Sequence, residues 1–281
     1  SSFYALPEDT QIFSFFESIT NSLNGIITEG NASSNINNEW IGSVLEIEPE
    51  YGYWLITDAN TILSIEGYPI GQDLEYSIHS GANLISFPDE GFYMIEEVIP
   101  SELQGTIYGI VGEGESSIYY NGQWVGALQF LEGGNGYWLK SYNNVSLIFD
   151  IDESIARFMP NQNTNILSEY HYNQSSQQAF SFIESATIKN KTLDSEDIII
   201  AYNDNGVVGS RYWSGEYTDI PVMGIDPNYN QETSSYCSEG DQVTFKVLDV
   251  SSGELIDMDS DSKLTWMNLG TSIVNLVESL P

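Results

Sequence analysis

The feature that most constrains this chain is an internal repeat at a fixed offset. The stretch GIITEGNASSNINNEWIGSVLEIEPEYGYWLITDANTILSI, from Gly25, aligns without a gap on GIVGEGESSIYYNGQWVGALQFLEGGNGYWLKSYNNVSLIF, from Gly109. Glu29-Gly30 falls on Glu113-Gly114, Trp40 on Trp124, Gly42 on Gly126, and Gly52-Tyr53-Trp54 on Gly136-Tyr137-Trp138, all 84 positions apart. Ser2-Phe3 and Ser86-Phe87 keep the same offset. Coincidence of rare residue types in one order means that one supersecondary unit is used twice.

Each copy reads as a small α+β unit. In the first, Ile12, Phe15, Phe16, Ile19 and Leu23 recur at helical spacing, with Asp9 or Thr10 placed to cap the N-terminus. In the second, a shorter helix is expected over 92–99, stopped by Pro100. Short strands follow at 106–111, 117–120, 124–130, 137–141 and 145–150. Asn121-Gly122 between two of them is a hairpin signal, because both turn positions of a type I′ turn need positive φ. The repeated glycines suit bulges or tight turns where a side chain would clash.

The second copy is preceded by LEYSIHSGANLI (74–85), which alternates and then turns apolar, as one or two strands would. The first copy has no counterpart to it. Near its end the chain carries Asn275-Leu276-Val277 and Ser279-Leu280-Pro281, similar to Asn83-Leu84-Ile85 and Ser86-Phe87-Pro88 with Glu278 inserted. A strand from this tail (Ile273, Val274, Asn275, Leu276, Val277 and Leu280), laid beside Ser2 and Phe3, is therefore expected to complete the first copy. It reaches that place either within its own chain or from a neighbouring molecule. Donation between molecules gives backbone affinity with side-chain specificity, and repeated head to tail it builds a filament. The plain alternative is that the match is short and uses common residues, and that the start is where an upstream module was cleaved or cut away.

After about residue 152 the repeat stops, and 159–165 (MPNQNTN) reads as a linker. Short β-branched and aromatic runs follow, punctuated by Asn205-Gly206, Gly240-Asp241 and Ser252-Gly253. Such runs suggest an antiparallel β-sandwich. The expected architecture is thus mainly β with minor α: two tandem small α+β repeats (1–70, 71–152) followed by an antiparallel β-sandwich (153–281). The GANLISFP…GEG…W-x-G…GYW repeat resembles repeats of large secreted surface proteins of marine bacteria. DIIIAYNDNGVVGSRYW…DIPVMG…GDQVTFKVLD is similar to a β-sandwich module found beside them. The resemblance implies export and an extracellular or cell-surface, modular protein; it assigns no catalytic or binding residue.

Charge narrows the partners. Forty-one acidic residues against seven basic ones give a net charge of −34, which repels nucleic-acid phosphates and anionic lipid. The acid excess serves hydration in a salty medium, binding of hard cations, or solubility alone. No apolar run is long enough to span a membrane as a helix. Cys237 is the only cysteine, so no disulfide forms within the chain. Sequons stand at Asn31, Asn144, Asn173 and Asn190.

Few residues form a chemical constellation. His79 and His171 each have one acidic neighbour, Glu75 and Glu169, and no second His or Cys, so a zinc site is not expected. Glu29 and Glu113 recur at equivalent positions and offer the two carboxylates of a glycosidase, but they belong to different copies, and a Glu beside Gly reads more simply as a turn residue. Asp257, Asp259 and Asp261 alternate as at the start of a calcium loop, but Ser262 and Asn268 break the EF-hand pattern. Asp194, Glu196 and Asp197 form a second acidic group, and a solvated acidic turn is the plain reading of both. Trp213, after the polar Gly-Ser-Arg, is the candidate platform for a sugar ring, whereas the repeated tryptophans read as core. The expected function is a non-enzymatic structural or adhesive protein without an obligatory cofactor, assembling with copies of itself. The alternative is a set of carbohydrate-binding modules that meets glycans or cell-surface polysaccharide.

Overall fold

The computed structural model describes residues 1–152, 168–227 and 230–279. The expected linker at 159–165, and Leu280 of the tail, lie outside the described residues. The fold is mainly β with minor α. The described α-helices are single turns at Ile12–Phe15, Ile95–Val98 and Asn230–Thr233.

Contacts divide the chain into two units. The first comprises Ser1–Gly112, Ile118–Trp124 and Leu128–Pro160, so both repeats share it. The second comprises Glu113–Ser117, Val125–Ala127 and Asn161–Pro281, and thus takes in two short pieces of the second repeat's sequence.

In the first unit, each repeat forms one antiparallel sheet. The first has four strands in the order Glu39–Gly42, Asn31–Ile36, Leu23–Thr28, Trp54–Thr57. The second has the same four, Gln123–Gly126, Ser116–Tyr120, Ile107–Val111 and Tyr137–Ser141, and adds a fifth, Gly81–Ile85, beyond Tyr137–Ser141. The tight turns repeat as well. Asn37 and Asn38 have φ of 54° and 66°, and Asn121 and Gly122 have 51° and 86°, the double positive φ of a type I′ hairpin. Tyr53 and Tyr137 each use the ring hydroxyl to accept a backbone N–H, from Glu48 and Glu132 respectively, both at 2.9 Å.

The helices are shorter than the spacing predicts. After Ile12–Phe15 a 3₁₀ turn covers Glu17–Ile19, and Leu23 opens a strand. Gln11 occupies the N-cap without a side-chain bond, while Asp9 accepts the Gln11 N–H from outside the helix. In the second copy, Phe92–Met94 is a strand paired with Phe130–Glu132, and only Ile95–Val98 is helical. Apolar residues three and four apart pack one core whether one turn of helix or a turn followed by a strand presents them; periodicity alone does not separate the two.

The repeats meet through reciprocal contacts. Ser86 N–H donates to Glu50 O at 3.1 Å, and Ser2 N–H donates to Gly134 O at 2.8 Å, the same bond with the copies exchanged. A Cβ on Gly52 would lie 2.7 Å from Ile85 O, and a Cβ on Gly136 would lie 2.7 Å from Ser1 O and 3.1 Å from Gly52 Cα. The pair therefore has the self-complementary pattern of a local two-fold. Gly52 and Gly136 are glycine because the other copy's backbone occupies the space of a side chain.

The second unit is a nine-stranded, sandwich-like sheet. Its longest strand, Gln178–Ile188, pairs antiparallel with Thr218–Met223 on one side and parallel with Thr271–Glu278 on the other. The sheet continues through Glu254–Ser260, Gln242–Asp249 and Ile198–Asn203 to Gly206–Tyr212. It curls until Gly209 meets Pro221, where an added Cβ would lie 1.7 Å from the Pro221 oxygen. The module expected as an antiparallel β-sandwich is thus a sandwich-like curled sheet, antiparallel but for the pairing of Gln178–Ile188 with Thr271–Glu278. The core holds Phe245, Ile199, Val222, Val274 and Leu276.

Candidate strand-accepting site

The site lies in the first repeat, on the edge that its sister keeps covered. In the second repeat, Gly81–Ile85 pairs with Tyr137–Ser141 in the register Ile85↔Tyr137, Leu84↔Trp138, Asn83↔Leu139. The 84-residue offset puts Ser1 in the place of Ile85 and Tyr53 in the place of Tyr137. Ser1 makes that pair: its amino group donates to Tyr53 O and its carbonyl accepts the Tyr53 N–H, both at 2.7 Å. Among the described residues the ladder goes no further than this pair, and Trp54–Thr57 is the last strand of its sheet. Backbone alternation turns the N–H and C=O of Leu55 to the same side as those of Tyr53, away from Leu23–Thr28.

Beside this edge is a cavity of about 660 Å³, lined among others by Phe3, Leu55, Thr57, Thr61, Leu63 and Ile65. Its counterpart in the second repeat is filled. Tyr76–Ile78 pairs with Val145–Leu147, the counterpart of 61–63. The Tyr76 ring packs edge-on against Phe149, the counterpart of Ile65, at 5.4 Å, and its hydroxyl lies 2.8 Å from Ser86 Oγ. Leu147 and Phe149 are 0% and 3% exposed, whereas Leu63 and Ile65 are only partly buried. Ser2 and Phe3 do lie at the site, as the sequence predicts. Ser2 is buried, and its hydroxyl donates to Asn135 O at 2.6 Å. Phe3 packs on Phe15 at 4.8 Å.

The tail is elsewhere. Ile273, Val274, Asn275, Leu276 and Val277 belong to Thr271–Glu278, bonded on one side to Gln178–Ile188 and on the other to Glu254–Ser260. Val274 and Leu276 are fully buried in the second unit's core. The expectation that this strand completes the first repeat is corrected: its backbone and its apolar face are committed within its own sheet. The likeness to 83–88 reflects a shared strand pattern of alternating apolar residues.

Trp213 is 5% exposed and sits in the same core, its N–H donating to Asp197 O at 2.8 Å. It presents no platform to a sugar; the polar neighbours that suggested exposure end a strand whose next residue turns inward. Each aspartate of the 257–261 run has its own partner. Asp257 pairs with Lys246 at 2.8 Å, Asp259 accepts from Ser279 Oγ at 2.8 Å, and Asp261 accepts from the Asn275 side chain at 2.8 Å. Asp197 is buried and accepts the N–H groups of Asp194 and Val250 at 2.9 and 3.1 Å, a turn-closing role. Among the described residues, no three acidic, His or Cys side chains converge to hold an ion.

Glu29 bridges the repeats rather than facing a partner carboxylate. Its Oε2 accepts the Leu84 N–H at 3.0 Å and its Oε1 contacts His79 Nε2. The Ser80 carbonyl, and then Glu29, raise the His79 pKa above its ordinary value. Cys237 is buried, and burial pushes its thiol up to about 12.

One polar node was not anticipated from the sequence. Asp219, fully buried in the second unit, accepts the N–H groups of Ser116 at 2.9 Å and Ala127 at 3.0 Å. Arg211, one of the seven basic residues, lies 3.6 Å from the same carboxylate. Burial raises the Asp219 pKa to about 6, against the pull of Arg211 and the two N–H groups. In the first repeat the counterpart of Ala127 is Ser43, whose own hydroxyl accepts the Ala32 N–H at 3.3 Å. An aspartate opening the apolar run Ile220–Met223, in a chain so short of cations, was the signal available. Comparison with protein families, curated proteins and solved structures finds no match to this chain.

Proposed function

We propose that the chain is a non-enzymatic structural module of an extracellular assembly, in which the first repeat accepts an extended strand along the edge of its sheet. The observation that carries this reading is the edge at Leu55, which among the described residues has no strand paired to it, whereas its counterpart in the second repeat is covered. Strand addition draws its affinity from backbone bonds and its specificity from alternate side chains. An open edge left in solution recruits other chains. The acidic surface, with a net charge of −34, favours this mode over binding to nucleic acid or anionic lipid. The named residue for the sugar-binding alternative, Trp213, lies in the core, and the named residues for tail donation lie in a paired strand.

The test is titration of the chain with a synthetic peptide of the sequence 80–84, followed by backbone NMR. Shifts confined to 53–57, and their loss in Leu55→Pro, which removes an edge N–H, are expected. No shift at this edge at millimolar peptide contradicts the reading.

A further inference from the structure

Independently of the strand edge, we infer that the second repeat carries a binding site of its own, a shelf of stacked tyrosines at Tyr108 and Tyr142 that takes the flat face of a neutral sugar ring. The ligand class is a polysaccharide of uncharged sugars.

The two ring centroids lie 4.0 Å apart with 18° between their planes, and the Lys140 ammonium stands 5.2 Å from the Tyr108 centroid. Tyr142 is 63% exposed, whereas Tyr108 is half-buried and Lys140 is buried. Lys140 lays its methylene stem across Gly109, where an added Cβ would lie 3.4 Å from Lys140 Cδ. The outer ring is thus backed by a second ring, and that ring is held by a cation. Tyr142 reaches solvent already ordered, so it has little side-chain freedom left to lose when a ligand arrives.

The fold does not require this shelf. At the 84-residue offset, Tyr108, Lys140, Tyr142 and Asn143 stand where the first repeat has Asn24, Ile56, Asp58 and Ala59. The backbone beneath is the same: the Tyr142 N–H donates to Thr106 O and the Asp58 N–H to Ser22 O, both at 3.0 Å. Ile56 fills the space over Gly25 that the Lys140 stem fills over Gly109. One repeat packs with an exposed aspartate at this corner, and the other assembles an aromatic stack there, so packing of the repeat does not account for the stack.

Polar groups border the shelf. Ser80 Oγ donates to Tyr142 O at 2.9 Å and the Ser80 N–H donates to Asn144 Oδ1 at 2.9 Å, which fixes that turn beside Tyr142. Ser80, Asn143 and Asn144 are all exposed. One face of a sugar ring is a layer of weakly positive C–H groups, which suits the negative face of an aromatic ring. The hydroxyls at its rim need donors and acceptors, and carboxamides and a hydroxyl supply both. A nucleic-acid base would stack equally well, but the net charge of −34 repels its phosphates. A neutral sugar has the flat face without the charge.

The experiment titrates the 281-residue chain with neutral hexasaccharides of glucose, galactose, mannose and xylose, and with hexagalacturonate as the anionic comparison, followed by aromatic NMR and calorimetry. The inference expects at least one neutral sugar to shift the Tyr142 and Tyr108 rings, and hexagalacturonate to leave them unmoved. Tyr142→Ala should weaken that binding at least about tenfold, and Tyr142→Phe should keep it. Tyr108→Asn removes the backing but leaves the platform, and should fall between the two. Tyr142→Ala and Tyr142→Asp are expected to keep the parent's melting temperature, since the first repeat carries Asp58 at this place. No movement of the Tyr142 ring by any of the neutral sugars at millimolar concentration overturns the inference, as does full affinity in Tyr142→Ala. Equal binding of hexagalacturonate overturns the neutral class. A large fall in melting temperature in both Tyr142 variants overturns the site as well, because the ring would then serve the fold. None of these results bears on strand addition, which is read at 53–57.

Discussion

Leu139 and Leu55 occupy one place in two copies of one strand, yet Leu139 is 1% exposed and Leu55 is only partly buried. The residues beneath them are alike. What differs is whether 74–85 lies on top. In the second repeat that segment puts Tyr76, Ile78 and Leu84 into the core at 3% exposure or less. In the first repeat the same floor borders a cavity. The comparison teaches that the unit has a receiving part and a closing part, and that the receiving part forms its four-stranded sheet without the closing one.

A second contrast lies at the two turns. The second repeat's N–H groups at Ser116 and Ala127 go to a buried carboxylate, while the first repeat satisfies Ala32 with its own Ser43 hydroxyl. Breaking the former should produce the largest effect. Asp219→Ala removes one partner of a buried charge pair and is expected to cost about 3–5 kcal/mol in denaturant unfolding. Ser43→Ala should cost about 1 kcal/mol. Equal costs would show that the carboxylate has no special place in the second unit.

Next in size is the floor itself. Leu147→Ala is expected to cost about 2–5 kcal/mol, because a fully buried side chain leaves a cavity. Leu63→Ala should cost less than half of that, since its side chain already borders open space. Near-equal losses in urea unfolding would mean that the two repeats are closed alike.

The reciprocal glycines give a sharper test of symmetry. Gly52→Ala and Gly136→Ala each set a methyl against the other repeat's backbone and are expected to cost about 1–3 kcal/mol apiece by thermal unfolding. Widely different values would break the local two-fold.

Much of this was readable in the sequence. The fixed offset located both repeats, and the Asn121-Gly122 turn was placed correctly; the paired glycines marked places without room for a side chain, but not that the other repeat's backbone fills them. Three things were not readable, each for a physical reason. Leu23 continued a helical spacing that a turn and a strand satisfy equally well. Trp213 follows polar residues, yet side-chain direction alternates along a strand and neighbours do not set it. The tail's apolar alternation stated that it is a strand but not which sheet it joins, because pairing partners lie far away in sequence.

The smallest expected effect is a pH dependence at the bridge between the repeats. The folded state raises the His79 pKa, so protonated His79 contributes stability that is present below about 6.5 and is lost as pH rises through the raised value. The melting temperature of His79→Gln should therefore fall below that of the parent at pH 5.5 and converge with it by about pH 8.5. A constant difference across that range would remove the charged form of His79 from the bridge.

Amide hydrogen exchange resolved at Leu55 and Leu139 tests the central claim most directly. Leu139 lies opposite Asn83 in a covered ladder, while the Leu55 N–H faces the open edge. The Leu55 amide is expected to exchange at least about 100-fold faster than that of Leu139 in the chain alone. Equal protection at the two positions would contradict the account, because it would mean that the first repeat's edge is already covered.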